Sequence, residues 1–254
     1  MTGSRGERFV RSPNLPESEV TELIVSDAVP ALTQALVSRG IRVHHPEHSD
    51  VLQDATARHA DMLCLHLGEN NIAVAKEQGK LMSRLRQAGM KIVFVQELEE
   101  KYPSDCRLNA LILGNTLFGN ICSCEKLKIC AESNNIRMID VKQGYTRCSS
   151  CVVSEKAIIT SDTAIERAAK SAGIDVLLVP PGEIVLEGYD YGFIGGASAK
   201  LSATELAFTG KVSALSYYDR LESFCHNYGV TATELTQLPL FDIGGMVQIK
   251  EKIE

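Results

Sequence analysis

The stretch YTRCSSCVVSEKAIITSDTAIERAAKSAGIDVLLVPPG, residues 145–182, contains one complete structural unit. Within it, CSSCVV and AIIT have the composition of short strands and flank the turn sequence SEK, so they predict a β-hairpin. Asp162 predicts the N-cap of a helix, because its carboxylate can accept the free amide protons of the first turn. Gly173 ends that helix, and the nearly apolar residues 174–179 predict a strand covered on both faces. The unit is therefore a hairpin, a helix and a further strand.

The rest of the chain contains altered copies of this unit. Each predicted helix ends at a residue that tolerates the left-handed backbone of a helix terminus. These residues are Gly40, Gly89, Asn135, Gly173 and Gly229. Hairpins precede the last four helices, whereas the first helix follows a single strand at 20–26, with Asp27 as its predicted cap and Pro30 in its first turn. The helix ends therefore count five units.

The first and last predicted strands of the chain together supply the one hairpin that is otherwise missing. Residues 241–250 predict a strand with no helix after it, and the strand at 20–26 has no hairpin partner before it. Pairing these strands would close a ring, as radial repeat folds do. We therefore expect an α/β fold of five pseudo-symmetric units, an α/β propeller closed by pairing of its N- and C-terminal strands. The alternative is an open doubly wound sheet, which has no reason to place a hairpin before every helix.

The propeller is expected to form a single domain that covers residues 18–254. The preceding residues 1–17 are polar and contain three arginines and two prolines. Such a composition at a terminus predicts a flexible arm.

Composition argues against several classes of protein. The chain has 254 residues, 44% hydrophobic and 23% charged, as in an ordinary globular protein. Its net charge of -6 argues against nucleic-acid binding, which needs clustered Lys and Arg. No apolar run approaches the ~18 residues of a membrane span, and the N-terminus lacks the apolar core of a secretory signal. We therefore expect a cytoplasmic protein with no membrane partner, whose eight cysteines are reduced.

Four motifs resemble those of a known family: HAD (59–61), QGYTRCSSC (143–151), IITSD (158–162) and GFIGGASAK (192–200). They are similar to an uncharacterised bacterial family of the pentein fold, also called the guanidino-group modifying enzyme (GME) fold, over residues 18–250. That fold contains arginine and agmatine deiminases, amidinotransferases and dimethylarginine hydrolases, and a non-catalytic branch of ribosome anti-association factors. The resemblance implies the fold and no particular reaction.

The catalytic members of that fold use a nucleophilic Cys, a His that moves protons, and carboxylates that grip a guanidinium. His59 and Asp61 match their His-x-Asp spacing. At the beginning of a strand both side chains would point to the same face, so Asp61 could bind the cation while His59 exchanges protons. The alternative is a surface junction at which Asp61 caps a backbone amide.

The candidate nucleophile departs from the pattern of the resemblance. Known deiminases place their Cys in the last unit beside glycines, whereas the last unit here has Gly244 and Gly245 and no Cys. Cys148 is the candidate instead, because the neighbouring Arg147 would favour its thiolate, and Cys151 is the alternative. Both cysteines are equally typical of buried strand residues without a chemical role.

Second carboxylates near the beginnings of hairpins complete the candidate site. Asp105, Asp190 and Asp242 are the candidates, and the sequence does not choose among them. Together with Asn109 and Arg147 they form the predicted substrate-binding set. An inward-pointing Arg147 would instead favour an anionic ligand.

Metal and phosphate sites are alternative interpretations of two other patterns. Five cysteines are crowded into thirty residues: Cys122, Cys124, Cys130, Cys148 and Cys151. Their spacing is typical of zinc ligands, but the repeat places the first two outside the ring and Cys148 inside it, so no metal is expected. GFIGGASAK follows neither the dinucleotide nor the P-loop spacing, so close backbone packing at the ring centre is its expected role. No cofactor is expected.

Two classes of function follow. One is a cysteine-dependent hydrolase or deiminase that acts on a guanidino or amidino small molecule, and the other is a non-catalytic ring that binds a small ligand or a protein. In the first, the ligand would occupy the central channel. The sequence does not indicate an oligomeric state.

Overall fold

A computed structural model describes residues 6–94, 97–120, 125–133 and 136–253, without the side chains of residues 126, 130 and 133. These residues form an α/β structure of five small sheets. The strands, grouped by sheet, are β1 (Glu7–Phe9), β2 (Val20–Val25) and β3 (Arg42–His44) together with the last strand β16 (Met246–Lys252); β4 (Cys64–Gly68), β5 (Asn71–Val74) and β6 (Lys91–Phe94); β7 (Leu111–Leu113), β8 (Thr116–Gly119) and β9 (Arg137–Asp140); β10 (Ser150–Ser154), β11 (Ala157–Thr160) and β12 (Asp175–Leu178); and β13 (Ser198–Lys200), β14 (Glu205–Phe208) and β15 (Thr231–Glu234). The helices are α1 (Pro30–Ser38), α2 (Ala60–Leu63), α3 (Gly79–Gln87), α4 (Glu125–Ser133), α5 (Thr163–Ser171) and α6 (Tyr218–Asn227).

The sheets share one arrangement. In four of them the first two strands are antiparallel, a helix follows the second strand, and the chain returns as a third strand parallel to the second. In the remaining sheet β16 takes the place of the first hairpin strand. It runs antiparallel to β2, with Met246 opposite Val25, and β2 is parallel to β3. The pair of terminal strands that the sequence predicts is therefore present in this sheet.

The apolar core is divided into five clusters, and each cluster is shared by two sheets. The clusters join the first sheet to the second, the second to the third, the third to the fourth, the fourth to the fifth, and the fifth back to the first. In the last of these, Ala199 and Ala207 of the fifth sheet pack with Val20, Leu23 and Met246 of the first. Each sheet therefore buries apolar side chains against two neighbours.

The predicted helix signals are confirmed at most positions. The Asp162 carboxylate caps α5 by accepting hydrogen bonds from the amides of Ala164 and Ile165 at 2.7 and 2.9 Å. Gly173 follows this helix with φ of +79°, and the other three predicted glycine ends also have positive φ. Asn135 lies outside the described residues.

Asp27 does not cap the first helix. That helix begins at Pro30 with Val29 as its N-cap, and no side chain caps it. Asp27 lies two positions before the N-cap, and its carboxylate instead accepts hydrogen bonds from Arg58 at 3.0 and 3.2 Å.

The strand predicted at 174–179 is covered on both faces only in part: Val176 packs against the cluster between the third and fourth sheets, and Leu177 packs against the cluster between the fourth and fifth. Asp175 is exposed and the rest of β12 is only half-buried. The reason is its position, because β12 is the last strand of its sheet and pairs with β11 alone.

Residues 6–17 are packed and do not form the flexible arm that their composition predicts. β1 pairs with β16, and the backbone carbonyl of Arg11 accepts a hydrogen bond from the amide of Glu69 in the second sheet. The Asn14 side chain donates to the carbonyl of Ile112 in the third sheet at 2.9 Å. Residues 10–15, which we call the N-terminal strap, therefore cross from the first sheet to the third.

Within the described parts of the chain, no helix has both the length and the apolar composition that crossing a membrane requires.

Candidate functional site

The candidate residues lie in five corresponding segments of the chain. Each segment directly precedes the first hairpin strand of one sheet. The segments are 59–61, 105–109, 145–148, 193–196 and 242–245, which precede β4, β7, β10, β13 and β16. Because the units repeat, these segments reach corresponding places in the structure.

A closed cycle of hydrogen bonds links the five segments to one another. The donors and acceptors are Asp61 N to Gly244 O (3.1 Å), Gly245 N to Gly196 O (2.8 Å), Gly196 N to Cys148 O (2.8 Å), Arg147 N to Asn109 O (3.2 Å) and Asn109 Nδ2 to Asp61 O (3.3 Å). The side chains of these segments are therefore held around a common centre.

A cavity of about 270 Å³ lies against this centre. Its polar lining includes the side chains of His59, Cys148, Asp190 and Asp242. Four aromatic residues also line it, namely Tyr145, Tyr189, Tyr191 and Phe193. The cavity thus combines a thiol, an imidazole and carboxylates with a largely aromatic wall.

His59, Asp61 and Cys148 converge beside the cavity. One nitrogen, oxygen or sulfur atom of each lies within 4.8 Å of the others, and all three side chains are buried. The Cys148 thiol donates to Asp61 Oδ2 at 3.0 Å, and the amide nitrogen of Asn109 donates to Cys148 Sγ at 2.8 Å. The Asn109 oxygen accepts from the backbone amides of Arg147 and Cys148 at 2.9 and 3.0 Å. Asn109 therefore fixes both the sulfur and the turn that carries it.

The His-x-Asp pair converges for a different structural reason from the predicted one. Residues 59–61 do not begin a strand, because His59 is the N-cap of the short helix α2 and Asp61 lies in its first turn. His59 and Asp61 are 5% and 2% exposed, so the alternative of a surface junction is wrong as well.

Asp242 lies beside His59 and lines the same cavity. Its carboxylate accepts hydrogen bonds from the amides of Phe193 and Gly244, both at 2.8 Å, and its Oδ1 is 3.9 Å from His59 Nδ1. Of the three candidate second carboxylates, Asp242 is the one held closest to the cluster of His59, Asp61 and Cys148.

Two glycines make this approach sterically feasible. A Cβ at Gly196 would lie 1.9 Å from Asp242 Oδ1, and a Cβ at Gly244 would lie 2.3 Å from the Cβ of His59. Gly244 also has φ of +73°, which other residues rarely adopt. The expected role of GFIGGASAK in close backbone packing is therefore confirmed.

Burial and the nearby carboxylates hold Cys148 as a thiol. Burial raises the pKa of Cys148 well above its usual range, and the charges of Asp61 and Asp242 and the hydrogen bond to Asp61 raise it further, while the Asn109 amide lowers it. Burial also raises the pKa of Asp61, an effect that the charges of His59 and Arg147 oppose.

Arg147 does not favour the Cys148 thiolate as predicted. Its Nε donates to Asn14 Oδ1 in the N-terminal strap at 2.9 Å, and Nη1 donates to the carbonyl of Gly195 at 3.1 Å. The guanidinium is buried there and is not part of the cavity lining. The condition for an anionic ligand, an Arg147 that points into the cavity, is therefore not met.

The other predicted residues lie at different depths. Asp190 is exposed and lines the cavity, whereas Asp105 is buried behind Tyr145, whose hydroxyl donates to Asp105 Oδ2 at 2.6 Å. Cys151 lies in an apolar cluster between the fourth and fifth sheets, where burial raises its pKa to about 11. Cys151 therefore fits the alternative of a buried strand residue.

Sequence reasoning missed the aromatic wall and Asn14. Tyr145 is three residues before Cys148, and Tyr191 and Phe193 flank Gly192 of the glycine-rich motif. Their positions within the family-like motifs were therefore a usable signal. No local pattern marks Asn14 as a partner of Arg147.

Only the cluster of His59, Asp61 and Cys148 offers a set of metal ligands within the described residues. An imidazole, a carboxylate and a thiolate are ligands that zinc accepts. Cys122, Cys124 and the side chain of Cys130 lie outside the described residues, so the structure does not describe the crowded cysteines as a group.

Comparison with known proteins places these features in a family context. A family profile described as a family of unknown function (DUF6873) matches residues 23–247. No curated protein matches the chain.

Solved structures similar to the whole chain include three enzymes. An amidinotransferase of the saxitoxin biosynthetic pathway from Microseira wollei is 11% identical, with 94% of this chain and 97% of that chain covered and a TM-score of 0.60. Agmatine deiminase of C. jejuni is 10% identical (91% and 92% covered, TM-score 0.53), and DDAH from Pseudomonas aeruginosa is 8% identical (92% and 100% covered, TM-score 0.54). All are guanidino-modifying enzymes of the pentein fold, and at these identities the similarity establishes that fold alone.

Proposed function

We propose that this chain, which belongs to the family of unknown function DUF6873 and has the pentein fold, is a cysteine-dependent hydrolase of a guanidino or amidino small molecule. The observation that carries the proposal is the convergence of His59, Asp61 and Cys148 within 4.8 Å, with His59 and Cys148 in the lining of a cavity of about 270 Å³. A nucleophile, a proton carrier and a carboxylate are the groups that covalent hydrolysis of a cationic substrate requires.

We also infer that the five sheets form a closed α/β propeller around this site. Three observations support the inference. β2 pairs with β16, the apolar clusters connect the sheets in cyclic order, and the five site segments are linked by a cycle of hydrogen bonds. In a closed propeller the site occupies the central channel.

The carboxylates supply the cation-binding groups. Asp61 Oδ1 is buried and has no hydrogen-bond partner among the described residues, so it is free to accept one from a ligand. Each Asp242 oxygen accepts one backbone hydrogen bond and retains a further lone pair. A planar guanidinium offers several N–H donors and binds carboxylates through charge-assisted hydrogen bonds.

Binding of the cation would activate the thiol. The negative charges of Asp61 and Asp242 help to hold the pKa of Cys148 high, so a cation bound between them removes part of that effect. The thiol proton is already directed at Asp61 Oδ2, which gives it an acceptor when the sulfur attacks. The reactive thiolate would therefore form when substrate is present.

The reaction then proceeds in two balanced stages. Cys148 sulfur bonds to the central carbon, and the C–N bond to the leaving amine breaks as His59 donates a proton to that nitrogen. Water next attacks the same carbon as His59 accepts one of its protons. The C–S bond then breaks, Cys148 recovers a proton from Asp61, and the second water proton passes to the released amine. The sum consumes one water and converts a guanidinium into a urea and an ammonium ion, or an amidinium into an amide and an ammonium ion.

The second candidate is a non-catalytic ring that binds a small cation. Two observations favour it: burial and the nearby carboxylates raise the pKa of Cys148, and the last unit carries Gly244 and Gly245 without a Cys. A binding protein would use the same cavity and carboxylates without formation of a covalent intermediate.

Turnover and thiol labelling distinguish the two candidates. Wild type, Cys148→Ser and the matched control Cys151→Ser would be incubated with a panel of guanidines and amidines, and released amine, ammonia and urea measured. We expect product from wild type and Cys151→Ser and none from Cys148→Ser, with iodoacetamide labelling of Cys148 enhanced by substrate-like cations. Binding without product in wild type, or product from Cys148→Ser, would contradict the covalent mechanism.

A further inference from the structure

We propose that the ligand of the cavity is a guanidinium or amidinium whose substituent is aromatic or otherwise uncharged and apolar, and that the cavity discriminates against ligands that carry a carboxylate. The proposal rests on the proposed function for the cationic head group. It adds the chemistry of the remainder of the molecule, which is set by the aromatic residues that line the same cavity.

The aromatic residues of the cavity form a continuous wall. The rings of Tyr145 and Phe193 are stacked, with their centroids 6.3 Å apart and their planes at 26°, and Tyr191 meets Phe193 edge-on at 6.3 Å. The Tyr189 hydroxyl donates to the side chain of Gln53, which fixes the position of that ring. Flat faces of this kind bind aromatic groups and planar cations.

No Lys or Arg belongs to the described lining of this cavity. Asp190 and Asp242 line it, Asp61 accepts a hydrogen bond from the lining residue Cys148, and Asp105 accepts one from the lining residue Tyr145. A ligand carboxylate would therefore face like charges. His59 is the lining residue that can carry a positive charge, and it already lies 3.9 Å from the Asp242 carboxylate.

Two backbone amides beside this cavity are already occupied and are not free to bind an anion. The amides of Phe193 and Gly244 are the donors closest to Asp242, and both already donate to its carboxylate at 2.8 Å. The Asp242 carboxylate therefore already occupies the two donors that an anionic ligand would need.

The cation to consider is Arg58 in a neighbouring cavity. That cavity has a volume of about 500 Å³ and shares His59, Leu186 and Asp242 with the first. The Arg58 guanidinium donates to both carboxylate oxygens of Asp27, at 3.0 and 3.2 Å, so its charge is already paired. Arg58 is nevertheless the nearby cation that could bind a ligand carboxylate, so the experiment includes the variant Arg58→Ala.

The test measures binding to Cys148→Ser by isothermal titration, so that chemistry does not interfere. The ligands are phenylguanidine, 4-guanidinobenzoate, arginine and unsubstituted guanidinium. We expect phenylguanidine to bind at least about tenfold more tightly than 4-guanidinobenzoate or arginine, because a nearby like charge opposes the carboxylate. Asp190→Asn should narrow this ratio, whereas Asp219→Asn, which removes an exposed acid far along the chain, should leave it unchanged.

Tyr191→Ala, added to the same protein, separates recognition of the substituent from recognition of the cation. It should weaken the binding of phenylguanidine roughly threefold to tenfold and weaken the binding of unsubstituted guanidinium less. Tyr191 is 39% exposed, so its removal should leave the fold intact.

Three results would overturn the proposal. The first is that phenylguanidine does not bind, and the second is that 4-guanidinobenzoate or arginine binds as tightly as phenylguanidine or more tightly. The third is that Arg58→Ala selectively abolishes the binding of the ligands that carry a carboxylate. Selective binding without turnover by wild type would support this proposal and reject the hydrolase. Cys148-dependent turnover of arginine would support the hydrolase and reject this proposal. The experiment therefore distinguishes failure of this proposal from failure of the proposed function.

Discussion

Replacement of Asp61 by Asn should make Cys148 more reactive, although Asp61 is proposed to bind substrate. Asp61 Oδ2 lies 3.0 Å from Cys148 Sγ, and both groups are buried. At that distance, with an effective dielectric constant of about 20, a full negative charge opposes the thiolate by about 5.5 kcal/mol. Even a quarter of this energy, about 1.4 kcal/mol, corresponds to a tenfold change in the thiolate population.

The full energy is not expected, because burial raises the pKa of Asp61 and so disfavours its full negative charge, an effect that the charges of His59 and Arg147 oppose. We therefore predict that Asp61→Asn raises the rate of iodoacetamide labelling of Cys148 at least about tenfold near neutral pH. Burial raises the pKa of Asp61, so its charge develops at higher pH than that of an exposed Asp. The ratio of the labelling rate of Asp61→Asn to that of the wild type should accordingly decrease as the pH falls, because Asp61 becomes protonated in the wild type.

The assay is the rate of Cys148 alkylation against pH, followed by mass spectrometry of the labelled peptide. Cys148→Ser identifies the signal, and Asp219→Asn serves as a charge-matched control away from the site. Circular dichroism checks that the variant is folded. An unchanged or slower rate in folded Asp61→Asn would refute the reasoning that Asp61 charge suppresses the thiolate.

Three further predictions concern the structure around the site. Gly196→Ala should lower the free energy of unfolding in urea by about 1–3 kcal/mol and weaken cation binding, because its Cβ would displace Asp242. The control Gly79→Ala, whose Cβ would have no neighbour within 4 Å, should not lower the free energy of unfolding. Equal stability of the two variants would contradict the steric argument. Asn14→Ala should cost about 1–3 kcal/mol in the same measurement, since it leaves the buried Nε of Arg147 without its acceptor, and an unchanged midpoint would remove that role. Deletion of the last ten residues removes β16 from between β1 and β2 and should abolish the cooperative thermal transition, so a truncated protein that keeps its melting temperature would count against closure of the propeller.

The repeat was predictable because each unit carries its own local signals. Asp162 and the glycine helix ends determine helix limits through interactions within a few residues, so the sequence displays them directly. Asp27 illustrates the limit of such reasoning. It resembles Asp162 in its Ser-Asp context, but the proline that begins α1 lies three residues further on, and a distant Arg58 takes the carboxylate.

The candidate site was predictable only in part, because its contacts connect distant segments. The motifs identified His59, Asp61 and Cys148, but neither the 3.0 Å contact between thiol and carboxylate nor the resulting rise in the Cys148 pKa follows from spacing. Adjacency in sequence predicts that Arg147 favours the Cys148 thiolate, because the two residues are neighbours. The actual partner of Arg147, Asn14, is 133 positions away in a segment whose composition suggested disorder.

The exchange of roles between units follows from the repeat itself. The five segments that precede the first hairpin strands occupy corresponding places and are linked by hydrogen bonds, so side chains from different units can meet at one site. The resemblance implies a Cys in the last unit, but here that unit provides Asp242 and two glycines of positive φ. The fourth unit provides Cys148 instead, still within 4.8 Å of the group formed by His59 and Asp61. Absence of a Cys from the last unit therefore does not by itself argue against a thiol mechanism; the decisive quantity is the reactivity of Cys148 when a cation occupies the cavity.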